Sequence, residues 1–378
     1  MIKSPFVFGK VASNSAFINR ELETQKLKNN FISGINTTLI SPRRWGKTSL
    51  VKKAASELAM ENTNIKICYI DLFGVKDEEE FYEIWIREII KASSSKWNDW
   101  LKTAKEILKG IVPSFSFGID PQNDFSVKLN LEQAKKNISD IIELPEKIAI
   151  KKGIKYIICI DEFQKIAKYN DSLNFQQYLR SKWQHFNNTS FCIYGSKRHI
   201  ITDIFESQSM PFYRFGDMIY LKKINEIHWQ KYLSLSFSET NKSISDDIIN
   251  RLIAAVKNHP YHIQQLAHQI WINTNESVTD KIFNDSIDEL LTFNEIMYIR
   301  EIDDLSALQI SFIEAIANNE KKLTSKEVIS KYKFGTTGNI HRLKKAIESK
   351  EIIDLFENKP EFIDPLFELW FKSKYLKM

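Results

Sequence analysis

The chain has 378 residues, of which 43% are hydrophobic and 27% charged, and its formal net charge at pH 7 is +5. Its length favours two or three domains, and its composition is that of an ordinary globular protein, which excludes collagenous and low-complexity chains. Its apolar runs are too short for a membrane-spanning helix and its N-terminus lacks the apolar core of a signal peptide, so we expect a cytoplasmic protein with no membrane partner.

The first 220 residues alternate between helical and extended patterns. A helix is predicted to begin after Asn19, which we expect to be its N-cap because acids follow it in the sequence. Short apolar strands are predicted at residues 36–40, 65–71, 155–160, 190–194 and 218–221. Because helical patterns separate these strands, the sequence predicts an α/β fold, a parallel sheet with helices on both faces.

Residues 110–130 interrupt this alternation. Two aromatic-rich runs, at 115–118 and 125–129, flank a turn-forming segment, residues 120–124, which predicts a hairpin insertion. A helix is expected next, from about residue 131 to residue 150. From Asn225 onward the strands stop and helical patterns dominate, apart from a short β-ribbon predicted at residues 352–356 and 361–363.

A phosphate-binding loop follows the first strand. Its sequence is Ser41-Pro42-Arg43-Arg44-Trp45-Gly46-Lys47-Thr48-Ser49, which matches the pattern GxxxxGK[ST] except at Ser41. Backbone N–H groups of such a loop and of the helix that it opens bind phosphate oxygens. Lys47 is predicted to reach the β- and γ-phosphates, and the Thr48 hydroxyl to ligate Mg²⁺. The loop therefore predicts a site for ATP or ADP with Mg²⁺.

Two acids, Asp161 and Glu162, end the apolar strand at 155–160. We expect Asp161 to complete the Mg²⁺ site and Glu162 to orient and polarise the attacking water. Asp71 also ends a strand, but a turn or a helix cap explains its position better than metal binding does.

These motifs resemble those of the AAA+-related STAND class of P-loop ATPases, and within it the archaeal-type ATPase family, which also occurs in bacteria. Residues 17–23 resemble the family segment F-x-x-R-E-x-E near the adenine, which implies a nucleotide contact for Arg20. Residues 41–49 resemble its SPRR-aromatic-GKTS loop, and residues 161–164 resemble its acidic motif. Residues 258–261 resemble its GxP turn, which implies that Pro260 packs on the base.

The same resemblance implies residues that sense the γ-phosphate. Ser196 stands after the fourth core strand, where such families place a polar sensor, although a plain turn explains it equally well. Arg214 lies in a segment that resembles an arginine-bearing one before the fifth strand. Either Arg214 or Arg198 would supply a guanidinium to the γ-phosphate, with a surface salt bridge as the alternative for each.

The resemblance also divides the chain into domains. It implies an ATPase core at residues 1–222, containing the insertion at about 110–130, a helical lid and connecting helix at 223–299, and a winged helix at 300–378. Residues 364–370 resemble the end of that winged helix, where we expect core packing rather than chemistry.

The C-terminal region concentrates positive charge. Between Lys321 and Lys350 there are nine Lys or Arg and two acids, an excess of seven that exceeds the net charge of the whole chain. Two predicted helices, 324–332 and 337–349, resemble a helix-turn-helix, with Thr324 and Thr337 as expected N-caps. Basic side chains on the second helix suit contact with DNA phosphates, and a protein-interaction surface is the alternative. The basic side chains in question are Arg342, Lys344 and Lys345.

The function expected from these features is that of a Mg²⁺-dependent switch that binds and hydrolyses ATP. The resemblance implies that the nucleotide state is relayed through the lid to the winged helix, and that a protein partner or self-association is involved. The alternative is a DNA-binding ATPase of the origin-recognition or transposition-helper type with slow or negligible turnover.

Overall fold

The computed structural model describes residues 3–12, 17–94, 115–119, 125–129, 137–355 and 360–377. The chain divides into two compact units, one of Arg20–Lys222 and one that joins Met1–Asn19 to Lys223–Met378. This division differs from the predicted core at its N-terminal end. Phe6 is buried in the apolar core of the second unit, and the Val7 N–H donates to Gln264 Oε1 at 3.1 Å.

A five-stranded parallel sheet forms the centre of the first unit. Its strand order is β2-β5-β6-β1-β7, and all of its neighbours pair in parallel. The strands of the unit are β1 (Thr37–Ile40), β2 (Ile65–Asp71), β3 (Phe115–Ile119), β4 (Phe125–Leu129), β5 (Lys155–Asp161), β6 (Thr189–Tyr194) and β7 (Asp217–Tyr220). The predicted parallel sheet is thus confirmed. Strand β6 lies between β1, which leads into the phosphate loop, and β5, which ends at the first of the two acids.

Helices surround this sheet and bury its side chains. They are α1 (Glu21–Ile32), α2 (Lys47–Glu61), α3 (Glu78–Ser93), α4 (Ile138–Ile142), α5 (Leu144–Lys152), α6 (Ser172–Trp183) and α7 (Arg198–Glu206), with a 3₁₀ helix at Phe163–Lys168. Trp85 of α3 and Phe191 of β6 both stack on Trp183 of α6, with ring centroids 5.4 and 4.1 Å away. Aromatic packing of this kind adds about 0.5–1.5 kcal/mol per pair beyond area burial, so it fixes the helices on the sheet that carries the site.

The predicted hairpin insertion is present, because β3 and β4 pair antiparallel. Its turn, residues 120–124, lies outside the described residues. So does the start of the helix predicted from about residue 131. The described remainder of that helix is divided into α4 and α5, and Pro145 stands in the first turn of α5, where a missing N–H costs nothing.

The second unit is almost entirely helical. Its elements are α8 (Glu226–Ser238), α9 (Asp246–Ala255), α10 (Pro260–Asn273), α11 (Asp280–Asp303), α12 (Ala307–Ala317), α13 (Lys326–Lys331), α14 (Thr337–Ser349), β8 (Ile353–Asp354), β9 (Glu361–Phe362) and α15 (Pro365–Trp370), followed by a π-helical turn at Phe371–Tyr375. Leu366, Phe367 and Trp370 are buried in a continuous apolar core, as expected for that segment. Within the described residues, every helix is too short or too polar to span a membrane.

Three predicted N-caps are displaced by one residue. The side chain of an N-cap residue accepts a hydrogen bond from an N–H two or three residues ahead. The Ser325 hydroxyl accepts from Val328 N, and the Thr336 hydroxyl accepts from Asn339 N. The structure therefore has Arg20 in place of Asn19 before α1, Ser325 in place of Thr324 before α13, and Thr336 in place of Thr337 before α14.

Candidate functional site

The predicted site residues converge on the carboxyl edge of the sheet, where β1, β5 and β6 end side by side. Leu39 of β1 pairs with Tyr194 of β6, and Ile160 of β5 pairs with Ile193 of β6. Because the three strands are parallel and adjacent, the segments that follow them emerge together. These segments are the phosphate loop, the pair Asp161–Glu162, and Ser196.

The phosphate loop has the backbone of an anion-binding turn. Arg44 and Gly46 adopt left-handed conformations, with φ of 65° and 87°, and such alternating backbone turns N–H groups toward one point. Ser41 is buried and does not have a positive φ. The structure therefore explains why a residue other than glycine is accepted at the first position of the motif. Gly46, by contrast, needs the conformational freedom of glycine.

Lys47 is a buried cation. Its side chain turns back onto the loop and its Nζ donates to Ser41 O at 3.0 Å, Ser41 Oγ at 3.3 Å and Pro42 O at 2.8 Å. Burial lowers the pKa of Lys47 to about 8, although the charges of Asp161 and Glu162 oppose this shift. A buried ammonium whose hydrogen-bond acceptors are neutral is strongly stabilised by a nearby anion. Lys47 is therefore suited to contact a phosphate.

The Thr48 hydroxyl donates to Asp161 Oδ2 at 3.0 Å. Burial raises the pKa of Asp161 to about 6, and the hydrogen bond from Thr48 partly opposes the shift. A hydroxyl and a desolvated carboxylate at this separation are oxygen donors suited to Mg²⁺, which usually takes its remaining ligands from phosphates and water. Among the described residues there is no cluster of three or more His, Cys, Asp or Glu able to hold a metal.

Glu162 is held in a defined orientation. Its backbone is left-handed, with φ of 55°. One carboxylate oxygen, Oε2, accepts from Ser196 Oγ at 3.0 Å and from Gln164 Nε2 at 2.5 Å. The structure thus brings the hydroxyl of Ser196, a candidate γ-phosphate sensor, to the carboxylate of Glu162. Two donors on one oxygen fix the rotamer and leave Oε1 available to a further donor such as water.

Gln164 is a residue whose contribution was not predicted from the sequence. It belongs to the acidic motif, but only the 3₁₀ turn after Glu162 brings its amide back to that carboxylate. A β-carbon built at Gly195 would lie 1.8 Å from Gln164 Oε1. Gly195 therefore has no side chain because the Gln164 amide occupies that space, and a signal for this contact was the glycine directly before Ser196.

The other predicted nucleotide-binding residues lie in three places: in the phosphate loop, before α1, and at the start of α10. In the loop, Arg43 and Arg44 are exposed, Trp45 is half-buried, and Pro42 and Ser49 are buried. Arg20 has a left-handed backbone and is buried, and its Nη1 donates to Glu23 Oε1 at 2.8 Å. Pro260 is the first residue of α10, in the second unit.

The two candidate γ-phosphate arginines differ in their surroundings. Arg198 begins α7, and its positive charge contributes to the lowered pKa of Lys47. Arg214 has a left-handed backbone, and its guanidinium lies 5.2 Å from the ring centroid of Tyr213. Asp71 forms the expected turn, because its Oδ1 accepts from Phe73 N at 2.9 Å.

Replacement of Asp161 by Asn is expected to stabilise the ligand-free protein. Because burial raises the pKa of Asp161 from 3.8 to about 6, the carboxylate destabilises the fold increasingly between these two pH values and fully above pH 6, and the cost disappears only below the lower value. We expect the melting temperature of Asp161→Asn at pH 8 to exceed that of wild type by about 2–5 °C. The difference should narrow at pH 5, as measured by thermal denaturation. A variant that melts below wild type at both pH values contradicts this account of Asp161.

The fold and the site can be compared with known proteins. A family model described as a probable winged helix domain matches residues 296–373, and no curated protein matches the chain. A Walker-type ATPase of Pyrococcus abyssi superposes with a TM-score of 0.65 at 18% identity, over 93% of this chain and 95% of that one. The ORC2 protein of Aeropyrum pernix, in its ADPNP–ADP complexes, gives 0.53 at 13% identity, over 93% and 89%.

These likenesses concern the fold. They confirm the α/β fold class predicted from the sequence, a parallel sheet surrounded by helices, and the family model matches the C-terminal region in which a winged helix was expected.

Proposed function

We propose that this chain is an ATPase that binds Mg-ATP or Mg-ADP at the carboxyl edge of the parallel sheet. The observation that carries the proposal is the contact between Thr48 and Asp161, 3.0 Å long, directly beside the buried Lys47. A cation donor and a pair of hard oxygen ligands at the mouth of a left-handed phosphate loop are the chemical parts that nucleotide triphosphates with Mg²⁺ require.

Each residue of the site has a role in this proposal. Lys47 leaves its loop acceptors to contact the β- and γ-phosphates, and Thr48 and Asp161 hold the metal, which supplies charge neutralisation to the phosphates when bound. Glu162 accepts a hydrogen bond from the attacking water and polarises it, while Ser196 and Gln164 orient its carboxylate. Arg198 or Arg214 supplies the guanidinium that stabilises charge at the γ-phosphate.

The other nucleotide contacts, and the relay of the nucleotide state to the winged helix, are proposed from the resemblance to the STAND class. Arg20 and residues 42–49 surround the nucleotide, and Pro260 packs on the base. The domain division at 222 and 299 then makes residues 223–299 a lid, through which nucleotide binding is relayed to the winged helix and to a protein partner or a second copy. The fold likeness to the Walker-type ATPase of Pyrococcus abyssi and to the ORC2 protein of Aeropyrum pernix supports this arrangement.

Titration calorimetry tests the binding step. ATP is expected to bind one site per chain, more tightly with Mg²⁺ than with EDTA, because a metal held by Thr48 and Asp161 would neutralise part of the phosphate charge. ATP that binds without any dependence on Mg²⁺ contradicts the role given to Thr48 and Asp161.

DNA binding is a second candidate function, favoured by the exposure of α14. This helix buries Ile340, Leu343 and Ile347 and turns Arg342 and Lys345 to solvent. Its Thr336 cap and its place within the matched winged helix domain are those of a groove-reading helix.

Salt dependence tests this candidate. If Arg342, Lys344 and Lys345 contact phosphates, duplex affinity should fall with salt at a log–log slope of about −0.9 per contact. The double variant Lys344→Glu with Lys345→Glu should flatten the slope for all sequences alike, as measured by fluorescence anisotropy. Lys231→Glu with Lys281→Glu changes the charge equally on α8 and α11, where both lysines are exposed, and is the control.

The outcomes separate the two roles of the winged helix. If the wild-type protein shows no salt-dependent binding of duplex DNA even at low ionic strength, the DNA-binding hypothesis is excluded. In that case the same double variant should alter the ATPase rate without DNA, as an interaction surface requires.

A further inference from the structure

The turn between α9 and α10 has an unusual backbone. Lys257 and Asn258 are consecutive residues with positive φ, 49° and 60°. Asn adopts this conformation readily, as expected for the position where the family turn has glycine, but lysine does so uncommonly. The Asn258 side chain secures the turn by donating from Nδ2 to Ile224 O at 2.7 Å. This backbone conformation and this hydrogen bond therefore fix the direction in which the Lys257 side chain leaves the turn.

The Lys257 side chain extends to α15, the last α-helix of the winged helix domain. Lys257 Nζ lies 2.5 Å from Glu368 Oε2, and Lys372 Nζ lies 2.7 Å from Glu368 Oε1. Glu368 is only 3% exposed, and a buried carboxylate needs ion pairs such as these to offset its desolvation. Lys372 follows Glu368 in its own segment, whereas Lys257 belongs to a different element. The Lys257 pair is thus the one that joins the turn to α15.

A second ionisable pair joins the same two places. His262, in the first turn of α10, has its Nε2 3.4 Å from Asp364 Oδ1. Asp364 also begins α15, because its Oδ1 accepts from Leu366 N at 2.8 Å and from Phe367 N at 3.1 Å. Both carboxylates of this segment therefore face the turn and the start of α10, and Leu366 and Phe367 share one apolar core with the helices around the turn.

We propose that Lys257, His262, Asp364 and Glu368 form a latch that couples the turn before Pro260 to α15. Because a coupling free energy is reciprocal, a change that loosens α15 loosens the turn, and the reverse. Resting on the proposed function, the latch carries nucleotide occupancy at Pro260 to the winged helix. Lys257 acts here as a positioning residue, since it touches Glu368 and not the nucleotide.

Hydrogen exchange of the full chain, first without nucleotide, tests the latch. Lys257→Gln should speed exchange of the amides of residues 366–370 by about tenfold or more, and Glu368→Gln should do so for residues 257–259, because local opening exposes these amides. Lys374→Gln is the matched control, since it removes an exposed lysine of the same segment that pairs with Asp288 rather than with Glu368, and should leave residues 257–259 unchanged. Lys257→Arg keeps the charge and should restore wild-type exchange.

Each other result overturns the latch. Lys257 would be shown to be merely structural if exchange of residues 366–370 is unaffected in Lys257→Gln, or if exchange rises alike across the whole second unit including α8. Failure of Lys257→Arg to restore protection while the fold melts normally would show the same.

The second experiment measures hydrogen exchange in the presence of ADP with Mg²⁺. In wild type it should slow exchange at both 257–259 and 366–370, and in Lys257→Gln only at 257–259. Equal protection of 366–370 in both proteins overturns the relay. If calorimetry shows that ADP does not bind, the proposed function fails, while the arm without nucleotide still decides whether the latch exists.

Discussion

Replacing Glu162 by Gln is expected to slow ATP hydrolysis by about 10²–10⁴-fold, the usual contribution of a positioned acid–base group, with little change in ATP affinity. The amide can still accept from Ser196 and hold a water, but it cannot polarise that water as the carboxylate does. Rates from single-turnover assays, with all ATP bound before Mg²⁺ is added, isolate this step from product release.

Glu206→Gln is the matched control for this change. Glu206 is exposed at the end of α7 in the same unit, and the substitution removes the same charge. Its single-turnover rate should equal that of wild type. An unchanged rate in Glu162→Gln would make Glu162 structural and would move the chemistry to Asp161 or to a residue of a partner.

The second large effect is expected at Lys47. Lys47→Ala removes the buried ammonium that the loop holds at Ser41 and Pro42, and with it the charge-assisted bonds to the β- and γ-phosphates. Hydrogen bonds to charged groups contribute about 1.5–3 kcal/mol each, so we expect ATP affinity to fall at least about tenfold to a hundredfold in titration calorimetry.

Lys52→Ala provides the comparison for this variant. Lys52 is exposed on the same helix, α2, so its loss changes the net charge and the helix equally but not the phosphate contacts. Its affinity for ATP should be that of wild type. Binding by Lys47→Ala that is as tight as that of Lys52→Ala would contradict the assignment of the phosphate loop.

The sequence is informative about the sheet and the loop because their signals are local. The apolar run before Asp161 predicts a strand buried on both faces, and β5 has that burial. The Gly46-Lys47-Thr48 motif between a strand and a helix likewise predicts a phosphate loop, and the structure has the left-handed backbone that the motif needs.

The contacts that depend on tertiary packing could not be predicted in the same way. Strand order puts β6 between β1 and β5, and only this brings Ser196 and Gln164 to one oxygen of Glu162. The pair Lys257–Glu368 joins residues 111 positions apart in the chain, with no pattern that links them. The predicted caps of α13 and α14 were wrong by one residue because adjacent hydroxyl side chains can reach the same N–H groups. Arg20, which precedes α1, makes no cap hydrogen bond through its side chain.

Phosphate release from ATP tests the central claim most directly. Purified wild type should release phosphate with Mg²⁺ and cease to do so when EDTA removes the metal, and Glu162→Gln prepared identically should show at most a few per cent of the wild-type rate. Release that is equal in the two proteins, or that persists in EDTA, would contradict hydrolysis at the site formed by Lys47, Thr48, Asp161 and Glu162.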